Sequence, residues 1–198
     1  MMKKYRLIPI ALLMALCLVF NTTALGEMEV YINPTNGYQI SYPSSWQIVN
    51  RETIDAIFTL VKSGIVSGVD GSFITQYAEQ IEQMDTVMFI TPDFDTPTIT
   101  YEDVGMSLTP RLFQMIVCPQ IITQYKTMFG GLEVLDPGSI ITIGDKEFVF
   151  QSMATTVMGE TMQVDAYYYV HGKVLYSMAF TAGDPNTQEV LASFVPGA

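Results

Sequence analysis

Few residues in this sequence have the type and spacing that enzyme chemistry requires. There is one histidine, His171, and there are two cysteines, Cys17 and Cys118. A hydrolase triad would need His171 as its base, but His171-Gly172 is typical of a hairpin turn, where a histidine faces solvent without a supporting partner. Cys118 lies among apolar neighbours with no basic residue beside it, which is typical of a small buried hydrophobe. We therefore predict no catalytic residue and no cofactor.

An acidic loop between two predicted strands is the place where the sequence suggests a metal. Asp93 and Asp95 lie in the segment 92–97, and Glu102 or Asp103 could add a further oxygen. Carboxylate oxygens are preferred ligands of Ca²⁺, but the glycine and the terminal glutamate of a regular calcium loop are missing. Asp93 and Asp95 are therefore candidate ligands of a hard cation, and a solvated loop is the alternative.

Three tyrosines are the candidate ligand-binding residues. Tyr167 and Tyr169 lie on one side of a predicted strand at 161–170, opposite to Ala166, and Tyr176 lies in the next strand. Tyrosine rings supply rigid, amphipathic contact area at a low cost in conformational entropy. The alternative is that these rings pack beneath helices as part of the core.

The last third of the chain predicts a meander of antiparallel strands. Its segments are 140–143, 147–158, 161–170 and 173–181, joined by turns at Gly144, Gly159 and Gly172. Two-residue turns with glycine join antiparallel neighbours and fix their register. Because both sides of these strands carry apolar or aromatic residues, both faces of the sheet must be covered.

The segment 31–46 predicts a hairpin that leads into the sheet. Tyr38 and Tyr42 alternate with polar residues, as in a strand with one buried side, and Gly37 follows an asparagine in a strong turn signal. Pro43 ends the pairing because it has no N–H to donate. The single tryptophan, Trp46, is then placed to seal the edge of the sheet. We predict structural roles for Gly37, Pro43 and Trp46.

Apolar residues at helical spacing predict four helices. They cover about 51–62, 72–84, 109–131 and 188–194. Thr109-Pro110 is a strong start signal for the third helix, which Pro119 should kink or divide. The fold class expected from this order is α+β, an α–β–α sandwich with a central, mainly antiparallel sheet and helices on both faces.

The first residues predict export. Three basic residues precede the apolar run 7–20, and small residues flank a cleavage position after Gly26. This order is typical of a secretory signal peptide. The run has fourteen residues, fewer than the roughly 20 that span a bilayer, which argues against a membrane anchor. We predict that residues 1–26 are removed and that residues 27–198 form a single secreted or extracytoplasmic domain.

The predicted mature chain is strongly acidic. Residues 27–198 contain six basic and twenty acidic residues, a formal net charge of −14. A surface of this sign repels phosphate backbones and suits solubility, basic partners or cations. We expect no nucleic acid and no transmembrane anchor, and an unknown protein or small molecule at the cell envelope as the partner. Cys118 is the one cysteine that remains, so no internal disulfide forms.

Three segments resemble the PsbP-like family, which is named for an extrinsic subunit of photosystem II. They are 36–46 (NGYQISYPSSW), 98–110, and 172–181 with the short helix that follows. The resemblance spans most of the mature chain and rests on packing residues. It implies an α–β–α sandwich around a central antiparallel sheet, a fold shared by secreted bacterial proteins of unknown role. It implies no shared catalytic set, because a fold does not transmit a function.

The sequence therefore predicts an exported, non-enzymatic accessory or binding protein of the cell envelope or extracellular space. The alternative is a secreted hydrolase or a cation-binding protein that uses the acidic surface. A glycosidase would need two facing carboxylates, and the sequence singles out no pair among its twenty acidic residues.

Overall fold

The structure, a computed structural model, describes residues 27–49, 85–93, 95–128, 131–157 and 160–197. The predicted signal peptide and the helices predicted at 51–62 and 72–84 lie outside these residues. The described part is a mixed α+β structure with a seven-stranded antiparallel sheet, a two-stranded sheet and two helices. Neither of the two helices described is long and apolar enough to cross a membrane.

The strands are β1 (Met28–Ile32), β2 (Gln39–Pro43), β3 (Gln47–Val49), β4 (Thr86–Ile90), β5 (Thr98–Asp103), β6 (Glu133–Ile143), β7 (Lys146–Val157), β8 (Glu160–His171) and β9 (Val174–Thr181). The helices are α1 (Pro110–Met128) and α2 (Thr187–Ser193). The large sheet has the order β3-β4-β5-β9-β8-β7-β6, and every neighbouring pair is antiparallel. Strands β6 to β9 form the meander that the sequence predicts.

Side chains of the large sheet alternate between its two faces because successive residues of a strand point to opposite sides. Tyr167 of β8 belongs to a core cluster with residues of β1, β2 and α2. The next residue, Tyr168, belongs to a second cluster with residues of α1. We call the two sides the hairpin face and the α1 face. Apolar packing occurs on both of them.

Strands β1 and β2 form the predicted hairpin, with Tyr31 opposite Ile40. The loop between them is longer than a two-residue turn. The side-chain Oδ1 of Asn33 organises it by accepting hydrogen bonds from the backbone N–H groups two and three positions later, at 2.9 and 2.7 Å. Gly37 has a φ of +69°, in the left-handed region that favours glycine. The turn signal of the sequence therefore acts within a larger loop.

Trp46 lies between the hairpin and the large sheet. Pro43 is the last residue of β2, and its carbonyl accepts a hydrogen bond from the N–H of Trp46 at 2.8 Å. The indole is 3% exposed and packs on Phe89 of β4, with ring centroids 5.8 Å apart. Because β3 is the last strand in the order of the described sheet, Trp46 packs beside an edge strand.

Helix α2 packs against the hairpin face through Phe194, which follows its last residue. The ring of Phe194 lies 4.9 Å from that of Tyr176. The N–H of Ser41 in β2 donates a hydrogen bond to Ser193 Oγ at 2.8 Å, and Val195 exchanges two backbone hydrogen bonds with β2. The segment after α2 therefore extends the two-stranded sheet.

Helix α1 begins where the sequence predicts. Thr109 Oγ1 accepts a hydrogen bond from the N–H of Leu112 at 3.2 Å, and Pro110 occupies the first helical position. The helix is not divided at Pro119 but continues to Met128. Two buried side chains on its inward side, Phe113 and Cys118, pack in the cluster of the α1 face. The helix is therefore continuous and packed on the sheet on both sides of Pro119, although proline removes one backbone hydrogen bond.

Candidate functional site

An open groove of about 340 Å³ lies on the α1 face of the sheet, beside the second half of α1. Strands β5, β8 and β9 form its floor, and α1 forms one wall. The residues that line it are Thr98, Thr100, Ile121, Gln124, Tyr125, Ala166, Tyr168, Ser177, Met178 and Ala179. Its volume is at the lower end of the range of about 300–1,000 Å³ that is typical of small-molecule sites.

The floor of the groove consists of two rows of residues that lie side by side across the strands. In the first row, Ala179 of β9 lies between Thr98 of β5 and Ala166 of β8. In the second row, Ser177 of β9 lies next to Thr100 of β5. These side chains are small, so they leave space above the sheet that a larger residue would fill. The groove is thus a direct product of side-chain size at five neighbouring positions.

The wall and one end of the groove are formed beneath and along α1. The ring of Tyr168 packs on Phe113 of α1, with ring centroids 4.9 Å apart, and ends the second row of the floor. Ile121, Gln124 and Tyr125 line the groove from the helix. Residues three or four positions apart share one side of a helix. The wall therefore combines one aliphatic side chain, one amide and one phenol.

The described residues that line the groove are uncharged, although the chain has a formal net charge of −11. Burial raises the pKa of Tyr168, and nearby Tyr125 and Cys118 raise it further, so its hydroxyl stays protonated at neutral pH. On the opposite side, Thr100 Oγ1 lies 3.0 Å from Thr86 Oγ1. Hydroxyl and amide groups can exchange hydrogen bonds with a ligand here, and none of the lining residues in the described ranges can neutralise a ligand charge. This lining favours a neutral ligand.

The tyrosines predicted as ligand-binding residues lie on the other side of the sheet, the hairpin face. Tyr167 and Tyr176 are 5% and 1% exposed. Tyr167 packs on Phe150 and Phe180, with centroid distances of 5.0 and 5.9 Å. Burial, with a smaller contribution from Asp165, raises the pKa of Tyr167 to about 12. The burial of these rings favours the core alternative, and their ligand-binding role stays a prediction for mutational test.

Tyr169, the third of these tyrosines, is half-buried. Its ring lies 5.5 Å from that of Phe194 and is stacked on the exposed ring of His171, with centroids 6.3 Å apart. Tyr176 lies 6.3 Å from Tyr169, and its hydroxyl accepts a hydrogen bond from the N–H of Gly197 at 3.0 Å. The structure therefore brings Tyr169 and Tyr176 together and places His171 at the end of β8, before the turn.

The predicted metal ligands lie in the loop between β4 and β5. Asp93 is exposed and Asp95 is half-buried. The N–H of Asp95 donates a hydrogen bond to Thr91 Oγ1, and the N–H of Thr91 donates one to the Asp95 carbonyl, each at 3.0 Å. In the part of the chain that the structure describes, no three His, Cys, Asp or Glu side chains gather as a metal group. A cation at Asp93 and Asp95 stays a prediction.

Cys118 lies in a closed environment where α1 meets β6. A Cβ at Gly138 would come within 3.1 Å of the Cys118 sulfur. The side-chain amide of Gln151 donates hydrogen bonds to the carbonyls of Cys118 and Pro137, at 3.3 and 2.9 Å. Burial, with a smaller contribution from Asp136, raises the pKa of the thiol to about 11. The thiol is therefore protonated at neutral pH. It is unreactive in this form, because the thiolate is the nucleophile.

The raised pKa of Cys118 predicts a loss of stability at high pH. The folded chain holds the thiol proton more tightly than the unfolded chain, whose reference pKa is 9.0. The stabilising contribution is therefore complete below that value and is lost as the pH rises through about 11. Urea denaturation at about pH 8 and about pH 10.5 should show a smaller pH-dependent loss in Cys118→Ala than in the wild type. Equal losses in the two proteins would contradict the burial of the thiol.

The groove is a feature that the sequence patterns did not single out. Its signal is an alternation: Thr98 and Thr100 flank the buried Ile99, and Ser177 and Ala179 occupy equivalent positions on β9. Small or hydroxyl side chains at intervals of two indicate a sheet face that is not filled by its own side chains. The alternation does not reveal that α1 lies beside these residues and leaves the sheet surface above them open.

Comparison with known proteins shows likeness at the level of structure. No protein-family model and no curated protein matches the chain. A protein from Bacteroides thetaiotaomicron is 14% identical with a TM-score of 0.50; the match covers 86% of this chain and 48% of that protein, so this chain spans about half its length. The cyanobacterial PsbP from Synechocystis is 13% identical with a TM-score of 0.53, covering 90% of this chain and 98% of that protein. A protein of unknown function from Pseudomonas aeruginosa is 12% identical with a TM-score of 0.46, covering 87% and 99%.

These identities are too low to transfer an activity, because unrelated functions share one fold. The resemblance to the PsbP-like family that the sequence predicts is confirmed at the level of fold. The chain has the PsbP-like fold.

Proposed function

We propose that this chain is an exported binding protein without enzymatic activity, and that the groove beside α1 holds a neutral small ligand. The observation that carries the proposal is an open groove of about 340 Å³ with no charged side chain among the described residues that line it. Binding sites for small molecules are concave, mainly apolar and equipped with a few placed polar groups. Here Thr98, Ser177 and Gln124 supply those polar groups.

The chemistry of the lining supports a binding role over a hydrolase. In the part of the chain that the structure describes, the groove lining has no carboxylate, imidazole or thiol, the groups that most often act in acid–base or nucleophilic catalysis. The single histidine of the sequence, His171, is exposed at the end of β8, and the buried thiol of Cys118 is neutral. His171 and Cys118 are therefore separate from the described residues that line the groove.

The proposal includes the location and the full architecture of the protein. The signal-peptide pattern at 1–26 and the acidic mature chain support a secreted or envelope-associated protein. We propose that residues 27–198 form one domain, an α–β–α sandwich with helices on both faces of the large sheet. Packing of α1 in one core cluster and of α2 in the other supports this arrangement.

Ala179→Phe is expected to weaken ligand binding in the groove by at least about tenfold while the protein stays folded. Ala179 lies in the middle of the floor, between Thr98 and Ala166, so a phenyl ring there fills the space above the sheet. The measurement is an NMR screen of the mature protein with neutral single-ring compounds, including sugars and aromatic alcohols. Hits should shift the amide signal of Ser177 and lose at least about tenfold in affinity in the variant.

Thr142→Phe is the matched control, because Thr142 is exposed on β6 and does not line the groove. Its affinity for the same hits should equal that of the wild type. Compounds that bind Ala179→Phe and the wild type equally well would show that the site lies elsewhere.

The proposed absence of enzymatic activity is tested with a panel of esterase, glycosidase and peptidase substrates. Turnover that disappears in His171→Ala would overturn it.

A further inference from the structure

The outward side of α1 exposes two large apolar side chains among polar ones such as Gln120 and Thr123, although the inward side of the same helix already packs on the sheet. Met115 is 67% exposed and Ile116 is 50% exposed, whereas Phe113 and Cys118 are fully buried. A surface helix normally presents charged or polar residues to solvent. Helix α1 therefore carries apolar side chains on two sides, and one of them has no cover from the described residues.

Helical spacing aligns the outward residues in a stripe along α1. The α1 outer stripe consists of Arg111, Met115, Pro119, Ile122 and Lys126, with Ile116 beside it. Its members are exposed except for Ile122, which is half-buried. The stripe has an apolar centre and a positive charge at each end. At about 1.5 Å per residue, the two charged positions are about 22 Å apart along the helix axis.

Positive charge is concentrated on this stripe. The chain has a formal net charge of −11, yet α1 contains no acidic residue. Two of the four basic residues in the described ranges, Arg111 and Lys126, belong to the stripe. The other two, Lys146 and Lys173, lie at or beside hairpin turns, and Lys146 pairs with Asp145 at 2.9 Å. An acidic partner would therefore meet its best electrostatic complement at α1.

We propose that the α1 outer stripe docks an amphipathic helix of a partner protein, in which apolar residues are flanked by a carboxylate at each end. The apolar residues of that helix would cover Met115 and Ile116, while its two carboxylates would face Arg111 and Lys126. Helices pack through side chains at intervals of three and four residues, which matches the spacing of the stripe. The flexible, polarisable side chain of Met115 suits such a contact.

A second copy of this chain fits the stripe poorly. A two-fold contact between two α1 helices places the same surface on both sides. Centred on Pro119, it would bring Arg111 of each copy close to Lys126 of the other copy, and like charges would oppose each other. An anionic lipid surface is also a poor occupant because the chain as a whole is acidic, and β6, one of the strands against which α1 packs, exposes Glu133. The partner helix is independent of the groove, since it uses the opposite side of α1.

The probe is a synthetic helical peptide of about five turns, with leucines three and four positions apart and a glutamate at each end. A comparison peptide carries lysines in place of the glutamates. Fluorescence anisotropy with the mature protein should show that the glutamate peptide binds at least about tenfold more tightly at low salt, and that the difference shrinks at high salt. Equal affinity for the two peptides would overturn the proposal.

Two variants locate the contact on α1. Met115→Ser/Ile116→Ser should weaken binding of the glutamate peptide by about tenfold or more. Arg111→Glu/Lys126→Glu should reverse the preference towards the lysine peptide. Lys146→Glu/Lys173→Glu is the matched control because it reverses two charges away from the stripe, and it should change the preference less. A charge-reversed stripe that keeps the original preference would overturn the proposal.

Two further measurements distinguish the other occupants. Analytical ultracentrifugation that shows a dimer of the wild type, and a monomer of Met115→Ser/Ile116→Ser, would assign the stripe to a second copy and overturn the proposal. The protein could instead bind phosphatidylserine vesicles more tightly than the glutamate peptide, and lose that binding in Met115→Ser/Ile116→Ser. This result would assign the stripe to a lipid surface and overturn the proposal. Neither result bears on the proposed groove, because ligand binding there is tested separately with Ala179→Phe. The expected outcome is a monomer that binds the glutamate peptide and leaves the vesicles unbound.

Discussion

Trp46→Ala is expected to lower the free energy of unfolding by about 3–5 kcal/mol, the range for truncation of a large aromatic side chain in a core. The indole is 3% exposed and packs on Phe89, which in turn packs on Tyr42 with ring centroids 4.9 Å apart. Removal of the indole leaves a cavity that these two rings cannot close without breaking their own contact. Urea denaturation followed by circular dichroism measures the change, since the variant has no tryptophan fluorescence.

Val30→Ala is the control for this experiment. Val30 lies in β1 and is 59% exposed, so its truncation should change the free energy of unfolding by less than about 0.5 kcal/mol. A loss of under about 1 kcal/mol in Trp46→Ala would mean that the indole faces solvent in the protein. In that case Trp46, together with Tyr38 and Tyr42, would become a candidate surface for ligand binding.

The double change Tyr167→Ser/Tyr169→Ser is expected to unfold the protein or to remove most of its stability. Tyr167 packs on Phe150, and Tyr169 packs on Phe148 and Phe194, all in the cluster of the hairpin face. Truncation of a buried aromatic side chain such as Tyr167 costs about 3–5 kcal/mol, and truncation of the half-buried Tyr169 adds a smaller loss. Together they remove a large part of the total stability of about 5–15 kcal/mol of a typical domain. Thermal unfolding and the near-ultraviolet circular dichroism spectrum measure the loss.

Thr156→Ser/Thr161→Ser is the matched control, because these exposed residues are paired across β7 and β8. It replaces two residues in the same two strands and should leave the unfolding temperature nearly unchanged. A tyrosine double variant that stays as stable as this control and loses a partner would revive the prediction that Tyr167 and Tyr169 bind a ligand. Unfolding of the double variant assigns both rings to the core.

Turn residues made the meander predictable from sequence. The bounds of β7, β8 and β9 differ from the predicted bounds by one residue at most. Two-residue turns with glycine leave few ways to pair the flanking strands, so local chemistry decides their register. The helix start at Thr109-Pro110 is predictable for the same reason, because capping acts within one turn of helix.

The first half of β6 was missed because its local signals indicate a turn. The segment Asp136-Pro137-Gly138 interrupts a strand in sequence, and the predicted strand therefore begins at 140 instead of Glu133. In the structure the same residues form a bulge, where the pairing with β7 shifts register. The amide of Gln151 satisfies the Pro137 carbonyl from β7. A contact from a partner strand fourteen residues away stabilises a bulge where the local sequence indicates a turn, and no local pattern contains that information.

The alternation of residues in β8 correctly separates Tyr167 from Tyr168, yet it does not tell which side is closed. Closure of the hairpin face depends on Phe194 and Ile40, which come from opposite ends of the described chain. The formation of the groove on the α1 face depends on the position of Tyr125 in α1 relative to the floor residues of β9. Both are properties of tertiary packing between distant segments, whereas the pattern describes a single strand.

The β1–β2 hairpin cannot finish folding before the last part of the chain is available. The hydrogen bond from Ser41 to Ser193 joins residues 152 positions apart, and β2 also bonds to Val195. Tyr38 and Ile40 are fully buried only when α2 and Phe194 lie against them. Contacts of such long sequence separation form slowly, because the intervening chain must first be ordered. Synthesis from the N-terminus therefore makes this apolar hairpin early and completes it last, and that interval is when the chain is most open to a chaperone or to aggregation.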